Sequence, residues 1–344
     1  MKTHVNIPIF IPHLGCPNQC VFCNQRTITG MEEFRAESVR KTIDEALLTI
    51  PGGTETEIAF FGGSFTGIDR GLMCELLEIA RSYIESGEVS SIRCSTRPDY
   101  ISEPIIAILK KYGVECVELG LQSVDDGVLD VTKRGHTSLD AEKACSMIVD
   151  AGISLVGQMM IGLPGSTIET ERETARFIIS SGATAARIYP TVVFKDTELY
   201  YMAECGMYEP LSLDDAVNRS AEIFEMLMDA GVQVIRIGLH ASENLSSSDT
   251  YFAGPNHPAL GELVENEYYY NKIYNYLSEK NISDASVNVT VARGCLSKAI
   301  GQNRRNKLRL GSAFPSCRFL FRESADVNGY GVKVEIEERK NKCT

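Results

Sequence analysis

The sequence predicts an α/β protein built as an incomplete barrel of parallel strands, followed by a small C-terminal α+β extension. Strand-length apolar runs alternate with amphipathic stretches at helical spacing, a pattern typical of parallel strands joined by crossover helices. Polar and glycine-rich motifs fall directly after those runs, where parallel barrels place their chemistry. The predicted strands are 5–11, 58–61, 92–95, 116–121, 155–161 and 185–193, and the clearest predicted helices are 36–50, 72–84 and 141–149.

The composition excludes several classes of protein. The 344 residues are 44% hydrophobic and 23% charged, which supplies enough apolar material for a barrel-sized core and argues against disorder. No apolar run reaches membrane-spanning length, and prolines break the first apolar stretch, so we predict neither a membrane protein nor a secretory signal. We therefore expect a cytoplasmic protein.

Three cysteines lie close together directly after the first predicted strand. Cys16, Cys20 and Cys23 form a CxxxCxxC spacing. Thiolates are preferred ligands of iron, and three of them in one loop suit an iron–sulfur cluster that leaves one iron open to a small molecule. A structural zinc site with His13 as fourth ligand is an alternative. A disulfide is disfavoured, because 11 cysteines without a paired framework indicate a reducing compartment.

The ends of the second and third predicted strands carry groups suited to a polar ligand. Gly62 and Gly63 let the backbone approach a ligand closely, although adjacent glycines also make ordinary turns. The third strand leads into Ser95 and Arg97, whose hydroxyl and guanidinium groups suit ribose and carboxylate. A surface salt bridge is the alternative for Arg97.

The fourth predicted strand carries a carboxylate and an amide. Glu118 and Gln122 are an even number of residues apart, so both should point to one face of a strand, the barrel interior. Burying them is costly without partners, so we expect a polar ligand there. Arg134 and His136 follow a short helix, and His136 either positions a substrate or caps a loop.

The sixth predicted strand carries two further polar residues. Arg187 and Tyr189 alternate with apolar neighbours, so both should face the barrel centre. They are candidates for substrate contact, or they are core polar residues with protein partners.

Several motifs occur in one order between residues 7 and 211: CSTRPDY, VELGLQS, KRGHT, GQMMIGLPGS and ARIYPTVVFKDTELY. Together with the cysteine spacing and Phe22, they resemble the radical S-adenosylmethionine domain of the catalytic subunit of Elongator, the tRNA wobble-uridine modifying complex. The resemblance implies a partial (βα)6 TIM-like barrel and a 4Fe-4S cluster. It also implies reductive cleavage of S-adenosylmethionine to a 5'-deoxyadenosyl radical.

The resemblance implies roles for individual residues. The cluster would be bound by Cys16, Cys20 and Cys23. The methionine end of S-adenosylmethionine would be lined by Gly62, Gly63, Ser64 and Phe65; its carboxylate and ribose would be held by Ser95, Gln122 and Arg134; its adenine would lie near Phe22 and the backbone of Gly162 and Leu163. The remaining candidates for catalysis or substrate contact are Arg97, Glu118, His136, Arg187 and Tyr189.

The chain also departs from the Elongator subunit. That subunit spaces its cysteines more widely and continues into an acetyltransferase domain, whereas about a hundred residues follow the predicted barrel here, without a visible acetyl-coenzyme A loop. We predict a barrel domain over 1–241, a polar linker over 242–256 and a small domain over 257–344. Outside the barrel strands we expect helices over 213–230 and 268–277, and extended runs over 234–240, 287–292, 308–310, 319–321 and 332–336.

A basic segment lies in the predicted C-terminal domain. The formal net charge of the chain is -12, which argues against a generic nucleic-acid binder. Residues 293–322 nevertheless hold eight basic residues and no acid, which predicts either a basic face or an ordinary solvated surface paired with acids. The candidates for RNA contact are Arg304, Arg305, Lys307 and Arg309.

The sequence therefore predicts a radical S-adenosylmethionine enzyme acting on tRNA or another RNA. Its cofactors would be a 4Fe-4S cluster and S-adenosylmethionine, and a reductant such as flavodoxin or ferredoxin would supply electrons. One alternative is an enzyme of the same superfamily that acts on a small molecule, such as a porphyrin or a metabolite. Another is a non-enzymatic metal-binding protein.

Overall fold

The structure is a computed structural model that describes residues 4–11, 15–16, 20–23, 34, 36–239, 249–280, 282 and 284–338. His13 and residues 242–248 of the predicted linker lie outside the described residues. The chain divides into two compact units. The first unit comprises Met1–Ser212 and Met226–Asn256, and the second comprises Leu213–Glu225 and His257–Thr344.

Strands and helices alternate along the first unit, as the sequence predicts. The elements in chain order are β1 (His4–Ile11), α1 (Ser38–Leu47), β2 (Glu55–Gly62), α2 (Arg70–Glu85), β3 (Ser91–Thr96), α3 (Glu103–Tyr112), β4 (Val114–Gln122), α4 (Asp126–Val131), α5 (Ser138–Asp150), β5 (Ser154–Ile161), α6 (Ile168–Ser180), β6 (Ala185–Pro190), β7 (Val193–Phe194), α7 (Glu198–Glu204), α8 (Leu213–Asp229), β8 (Gln233–Ile237) and β9 (Tyr251–Ala253). Helix α8 belongs to the second unit as far as Glu225.

The first unit is built on a parallel sheet with the strand order β1-β2-β3-β4-β5-β6-β8. The sheet curls into a half-barrel, which confirms the predicted α/β class and the incomplete barrel. The extended run predicted over 234–240 supplies the seventh strand, β8. The predicted strand 185–193 is divided, because Pro190 has no N–H to continue the ladder and β7 pairs with β9 instead.

The two faces of the sheet differ in burial. On β6, Ala186 and Ile188 are fully buried, whereas Arg187 and Tyr189 at the alternate positions are only half-buried. The outward face packs against apolar helix residues such as those of α2, and the concave face stays partly open. Arg187 and Tyr189, which point into the half-barrel, are therefore partly accessible to a ligand.

Side-chain caps fix the start of the helices that follow the strands. Thr137 and Thr167 each form a capping box at the start of α5 and α6. Asp69, Asp125 and Thr197 cap α2, α4 and α7 by accepting backbone N–H groups. Each cap satisfies an N–H that the helix itself cannot bond, so the loops between strand and helix have defined ends.

The second unit contains a mixed sheet and helices. After α8 its elements are α9 (Leu260–Glu279), β10 (Ala285–Ala292), α10 (Leu296–Ile300), a 3₁₀ turn (Gln302–Arg304), α11 (Arg305–Ala313), β11 (Arg318–Ser324) and β12 (Val332–Glu338). Strand β10 lies between β11 and β12, parallel to the first and antiparallel to the second. The predicted helix 268–277 lies within α9, and three of the four predicted strands are present.

The predicted strand over 308–310 is wrong, because these residues lie in α11. Leu310 is fully buried while Leu308 is 65% exposed. Residues two apart share a face of a strand but lie on nearly opposite sides of a helix, so only the helix allows this difference.

The predicted division into domains stays a prediction. Residues Leu213–Glu225 group with the second unit although they fall in the predicted barrel domain, and β9 lies in the predicted linker. Across the described ranges, no helix combines the length and the hydropathy needed to cross a bilayer.

Replacing Gly157 by alanine should destabilise the first unit. A Cβ at Gly157 on β5 would lie 2.8 Å from Cγ1 and 3.0 Å from Cγ2 of Ile178, which is buried on α6. We expect the free energy of unfolding to fall by about 1–3 kcal/mol in urea denaturation. Gly52→Ala is the control, because a Cβ there meets nothing within 4 Å. Equal stability of the two variants would contradict the close packing of β5 on α6.

Candidate active site

Gly15, which directly precedes Cys16, packs backbone to backbone on the segment after β2. Gly15 has φ +74°, and a Cβ there would lie 2.3 Å from the carbonyl oxygen of Ser64. A Cβ at Gly67 would likewise lie 2.5 Å from the carbonyl oxygen of Gly15. Only glycine fits at both positions. This packing brings Cys16 Sγ to 3.6 Å from Ser64 Oγ.

Val21, directly after Cys20, is held by two other elements. The N–H of Val21 donates to the carbonyl of Thr132 at the end of α4, and the carbonyl of Val21 accepts from the N–H of Leu199 in α7. Val21 is buried against Leu199, and Phe22 packs on the same apolar cluster. Cys20, which precedes this anchored residue, is only 7% exposed.

Two arginine side chains reach the sulfur of Cys20. Arg134 Nη1 lies 3.2 Å from Cys20 Sγ, and Arg97 Nη1 lies 3.9 Å from it. Arg97 also donates to both carboxylate oxygens of Asp99, at 2.9 and 3.0 Å, and to the carbonyl of Arg134. Arg134 donates to the carbonyl of Gly120 at 2.6 Å. The segments after β1, β3 and α4 therefore converge on one thiol.

Several buried polar atoms of Arg134 and of residues near it have no partner among the described residues. They are Gln122 Oε1, Arg134 Nε and both ring nitrogens of His136. Burial, together with the charges of Arg134 and Arg97, lowers the pKa of His136 to about 4, so its imidazole is neutral at pH 7. Buried polar groups normally have partners, so a polar ligand would complete this set.

The carboxylate of Glu118 is satisfied by the protein itself. It is fully buried, and it accepts from Arg93 Nη1 at 3.0 Å, Arg187 Nη2 at 2.8 Å and Gln158 Nε2 at 2.9 Å. Glu118 therefore needs no ligand to offset its burial. The sequence reasoning missed Arg93 and Gln158, although their alternation on β3 and β5 places them on the inward face.

The backbone at Gln122 does not follow the predicted alternation. The pairing of β4 with β5 shifts register between Gly120 and Gln122, and Gln122 has φ +66°. The even-spacing rule that related it to Glu118 does not apply across this shift. Its side-chain nitrogen still reaches back over Gly120, where a Cβ would lie 3.1 Å from it.

The glycine pair after β2 is fixed to the neighbouring strand. Gly62 has φ +112°, a Cβ there would lie 2.9 Å from the nitrogen of Ile11, and the N–H of Gly63 donates to the carbonyl of Ile11. Ser64 is buried beside Cys16. Phe65 is buried as well, and its ring stacks on Phe60 at 4.4 Å, so it belongs to the apolar core.

The remaining predicted contacts of the cofactor lie along β3, β5 and β6. Ser95 Oγ is 3.3 Å from Gln158 Nε2 inside the half-barrel. The N–H of Gly162 donates to Glu171, and its carbonyl accepts from Tyr208, so both groups have protein partners; Leu163 is buried. Burial raises the pKa of the Tyr189 hydroxyl beside Arg187.

The described cysteines are all thiols, with no disulfide among them. Within the described parts of the chain, no group of three or more His, Cys, Asp and Glu side chains lies close enough to hold a single metal ion. In a cubane cluster each thiolate binds a different iron, so its ligands do not need to meet at one point. His13, the predicted fourth ligand of the zinc alternative, lies outside the described residues.

Two family matches cover most of the chain. Residues 10–178 match the Radical SAM superfamily, and residues 183–270 match the Radical_SAM C-terminal domain. In addition, the structure of the archaeal Methanocaldococcus infernus Elp3 with an N-terminal deletion superimposes with a TM-score of 0.62 at 24% identity, covering 81% of this chain and 64% of that one. This likeness shows the shared fold.

Curated relatives match over parts of their length. The tRNA uridine(34) acetyltransferase of Methanocaldococcus infernus is 36% identical over 138 residues, which is 38% of this chain and 26% of that protein. Elongator complex protein 3 of Mus musculus is 33% identical over 291 residues, which is 75% of this chain and 51% of that protein. The chain thus spans about a quarter and about half of these relatives. With the family matches, they confirm the predicted resemblance: this chain belongs to the radical S-adenosylmethionine superfamily and is an enzyme that uses a 4Fe-4S cluster and S-adenosylmethionine.

Proposed function

We propose that Cys16, Cys20 and Cys23 bind the cluster and that the enzyme modifies RNA, in particular tRNA. The ligand assignment rests on the convergence of Arg97 and Arg134 on the buried thiol of Cys20. Polar atoms of Gln122, Arg134 and His136 in this region have no partner among the described residues. Guanidinium N–H groups at hydrogen-bond distance suit the sulfur of a cysteine that binds iron, because they can donate to it. The donor set therefore fits an anionic iron–sulfur cluster.

The residues around the thiol also suit the second cofactor. When bound, the reduced cluster and S-adenosylmethionine supply a carbon-centred radical that abstracts a hydrogen atom from the substrate. Gln122 Oε1 accepts a hydrogen bond from an amino or hydroxyl group, and Arg134 Nε donates one to a carboxylate. The neutral His136 donates from one ring nitrogen and accepts at the other, as a ribose hydroxyl requires.

The residues around the thiol are shielded from water. Cys20, Arg97, Arg134 and His136 are each more than nine-tenths buried, so they would shield a cluster bound beside them from bulk solvent. A protein reductant such as flavodoxin or ferredoxin supplies the electron.

RNA is supported as the substrate by the relatives and by the second unit. The matched relative from Methanocaldococcus infernus is named as a tRNA-modifying enzyme. Helix α11 and the turn before it expose Arg304 and Lys307, which have no ion-pair partner among the described residues. Arg305 is exposed and lies 3.6 Å from the exposed Asp214, a weak pair that a phosphate can displace.

Arg309 is unlike the other three candidates for RNA contact. Its guanidinium bonds both carboxylate oxygens of Glu267 and lies over the ring of Tyr270, 3.5 Å from the ring centroid. These contacts fix it within the second unit, so we assign it a structural role. The phosphate contacts would then come from Arg304, Arg305 and Lys307.

A cavity beside these cations suits a nucleotide. It has a volume of about 640 Å³ and lies within the second unit. Its walls combine the amides of Asn218, Gln302 and Asn303 with the apolar side chains of Leu213 and Leu263. Amide groups bond the edges of unpaired bases, and apolar walls cover base faces.

A small-molecule substrate is the second candidate. The concave face of the half-barrel is lined by half-buried side chains, among them Ser95, Gln158 and Tyr189. A metabolite or porphyrin of suitable size would meet polar groups there without any RNA. Turnover that does not respond to RNA would favour this candidate.

Replacing Cys20 by alanine should abolish both the cluster and the chemistry. We expect anaerobically reconstituted, dithionite-reduced wild-type protein to form 5'-deoxyadenosine, with more product when bulk tRNA is added. Cys20→Ala should lose the brown cluster absorbance and fall to background, because one of three iron ligands is missing. Cys205→Ala, at an exposed thiol, is the control and should keep both. A full iron content and undiminished product in Cys20→Ala would refute the ligand assignment.

Removing the two unpaired cations of the second unit should weaken RNA binding. For Arg304→Gln with Lys307→Gln we expect the slope of log K against log salt to become shallower by about 1.4–1.8, because each lost phosphate contact removes about 0.7–0.9. The matched control is Lys110→Gln with Lys111→Gln, two exposed lysines of the first unit. Binding measured by fluorescence anisotropy with tRNA at several salt concentrations checks this. Identical slopes in all three proteins would remove the second unit from the RNA interface.

Folding stability should depend on pH through His136. Its folded pKa of about 4 lies below the unfolded value of about 6.5. Between these two pH values the unfolded chain therefore binds a proton at His136 and the folded chain does not. The contribution is present above pH 6.5 and is lost as the pH falls towards 4. Between pH 7 and 5 we expect wild-type apoprotein to lose about 2 kcal/mol more of its free energy of unfolding than His136→Gln. The measurement is urea denaturation of both proteins at pH 7 and at pH 5. An equal loss of the free energy of unfolding in the two proteins would show that the folded histidine binds a proton normally.

A further inference from the structure

We propose that Arg134, supported by Arg97, sets the reduction potential of the cluster by donating a hydrogen bond to the sulfur of Cys20. This inference rests on the proposed assignment of Cys20 as an iron ligand. The resemblance implies only that Arg134 contacts the carboxylate or ribose of S-adenosylmethionine. Here Arg134 in addition acts as a positioning residue for Cys20 and tunes the potential of the cluster.

The guanidinium of Arg134 is held in place by the protein. Its Nη2 donates to the carbonyl of Gly120 at 2.6 Å, and its Nη1 points at Cys20 Sγ at 3.2 Å. Arg97 donates to the main-chain carbonyl of Arg134, and its own guanidinium is held by two bonds to Asp99. The donors are therefore aimed at the sulfur by β4, the loop after α4 and the turn after β3, before any ligand binds.

The charges around the sulfur do not balance among the described residues. Arg97 and Arg134 are 4% and 6% exposed, and Asp99 is the single carboxylate that bonds either guanidinium. His136 is neutral at pH 7 because burial and the two arginines lower its pKa to about 4. One buried positive charge is left over beside Cys20. An unpaired buried cation is costly, and an anionic sulfur carrying part of the cluster charge offsets that cost.

This arrangement favours the reduced form of the cluster. One added electron makes the cluster more negative, and part of that charge lies on the ligating sulfurs. N–H donors to those sulfurs and nearby cations stabilise the added charge, which raises the reduction potential. Cys16 Sγ lies 3.6 Å from the hydroxyl of Ser64, whereas Arg134 Nη1 is aimed at Cys20 Sγ.

The test is a potentiometric titration of the reconstituted full-length chain, followed by electron paramagnetic resonance of the reduced cluster. Dithionite supplies the electrons, and S-adenosylmethionine is left out so that only the cluster is observed. For Arg134→Gln we expect the affinity of the cluster for one electron to fall at least tenfold, which corresponds to a potential lower by at least 59 mV. Arg134→Lys keeps the charge but lacks the planar fork whose two ends reach Gly120 and Cys20, so its potential should lie between those of the wild type and Arg134→Gln.

Arg176→Gln is the matched control, because Arg176 is an exposed arginine of α6 paired with Glu169. It should keep the wild-type potential. An Arg134→Gln cluster with an unchanged potential would overturn the inference and leave the ligand assignment intact. Failure of both Arg134 variants to assemble a cluster, with unchanged circular dichroism, would also overturn it, since Arg134 would then serve assembly. A wild-type chain that binds no iron would instead overturn the proposed function.

Discussion

The organisation of the site depends on one guanidinium group, that of Arg134. It bonds the carbonyl of Gly120 on β4 and the sulfur of Cys20, while the carbonyl of the same residue accepts from Arg97. Three chain segments that are distant in sequence therefore share one buried cation. Because a cation cannot be left unpaired in the interior, each segment must reach its place for the others to be stable.

A second polar network, centred on Glu118, links the strands inside the half-barrel. Glu118 bonds Arg93, Arg187 and Gln158, which join four neighbouring strands through their side chains. Arg93 continues the network to Glu57 on β2. Because the carboxylates of this network have hydrogen-bond partners, the network resists repacking. The concave face therefore keeps its shape when substrate and cofactor bind and leave.

The parallel sheet could be read from the sequence because helical and strand periodicities alternate over 200 residues, and each βα unit repeats the same signal. The position of the cysteine loop followed from the rule that loops at the carboxyl ends of parallel strands meet.

The backbone reversal at Gln122 could not be predicted, since a register shift depends on the neighbouring strand rather than on local sequence. The partners of Glu118 were missed for a similar reason, as a pair of charges 25 or 69 residues apart leaves no local pattern. Part of the helix α11 was taken for a strand because Leu308 and Leu310 lie two residues apart, which is the period of a strand.

The anchoring of Val21 has a consequence for the order of events during synthesis. Its N–H and carbonyl are bonded by Thr132 and Leu199, which leave the ribosome more than a hundred residues later. The loop that carries Cys20 is therefore the first part of the site to be translated and among the last to be shaped, since contacts of such long range close late. Iron offered to the nascent chain would meet three unconstrained thiols. The proposed ligand Cys20 therefore reaches its final surroundings only in a chain that has folded at least as far as α7.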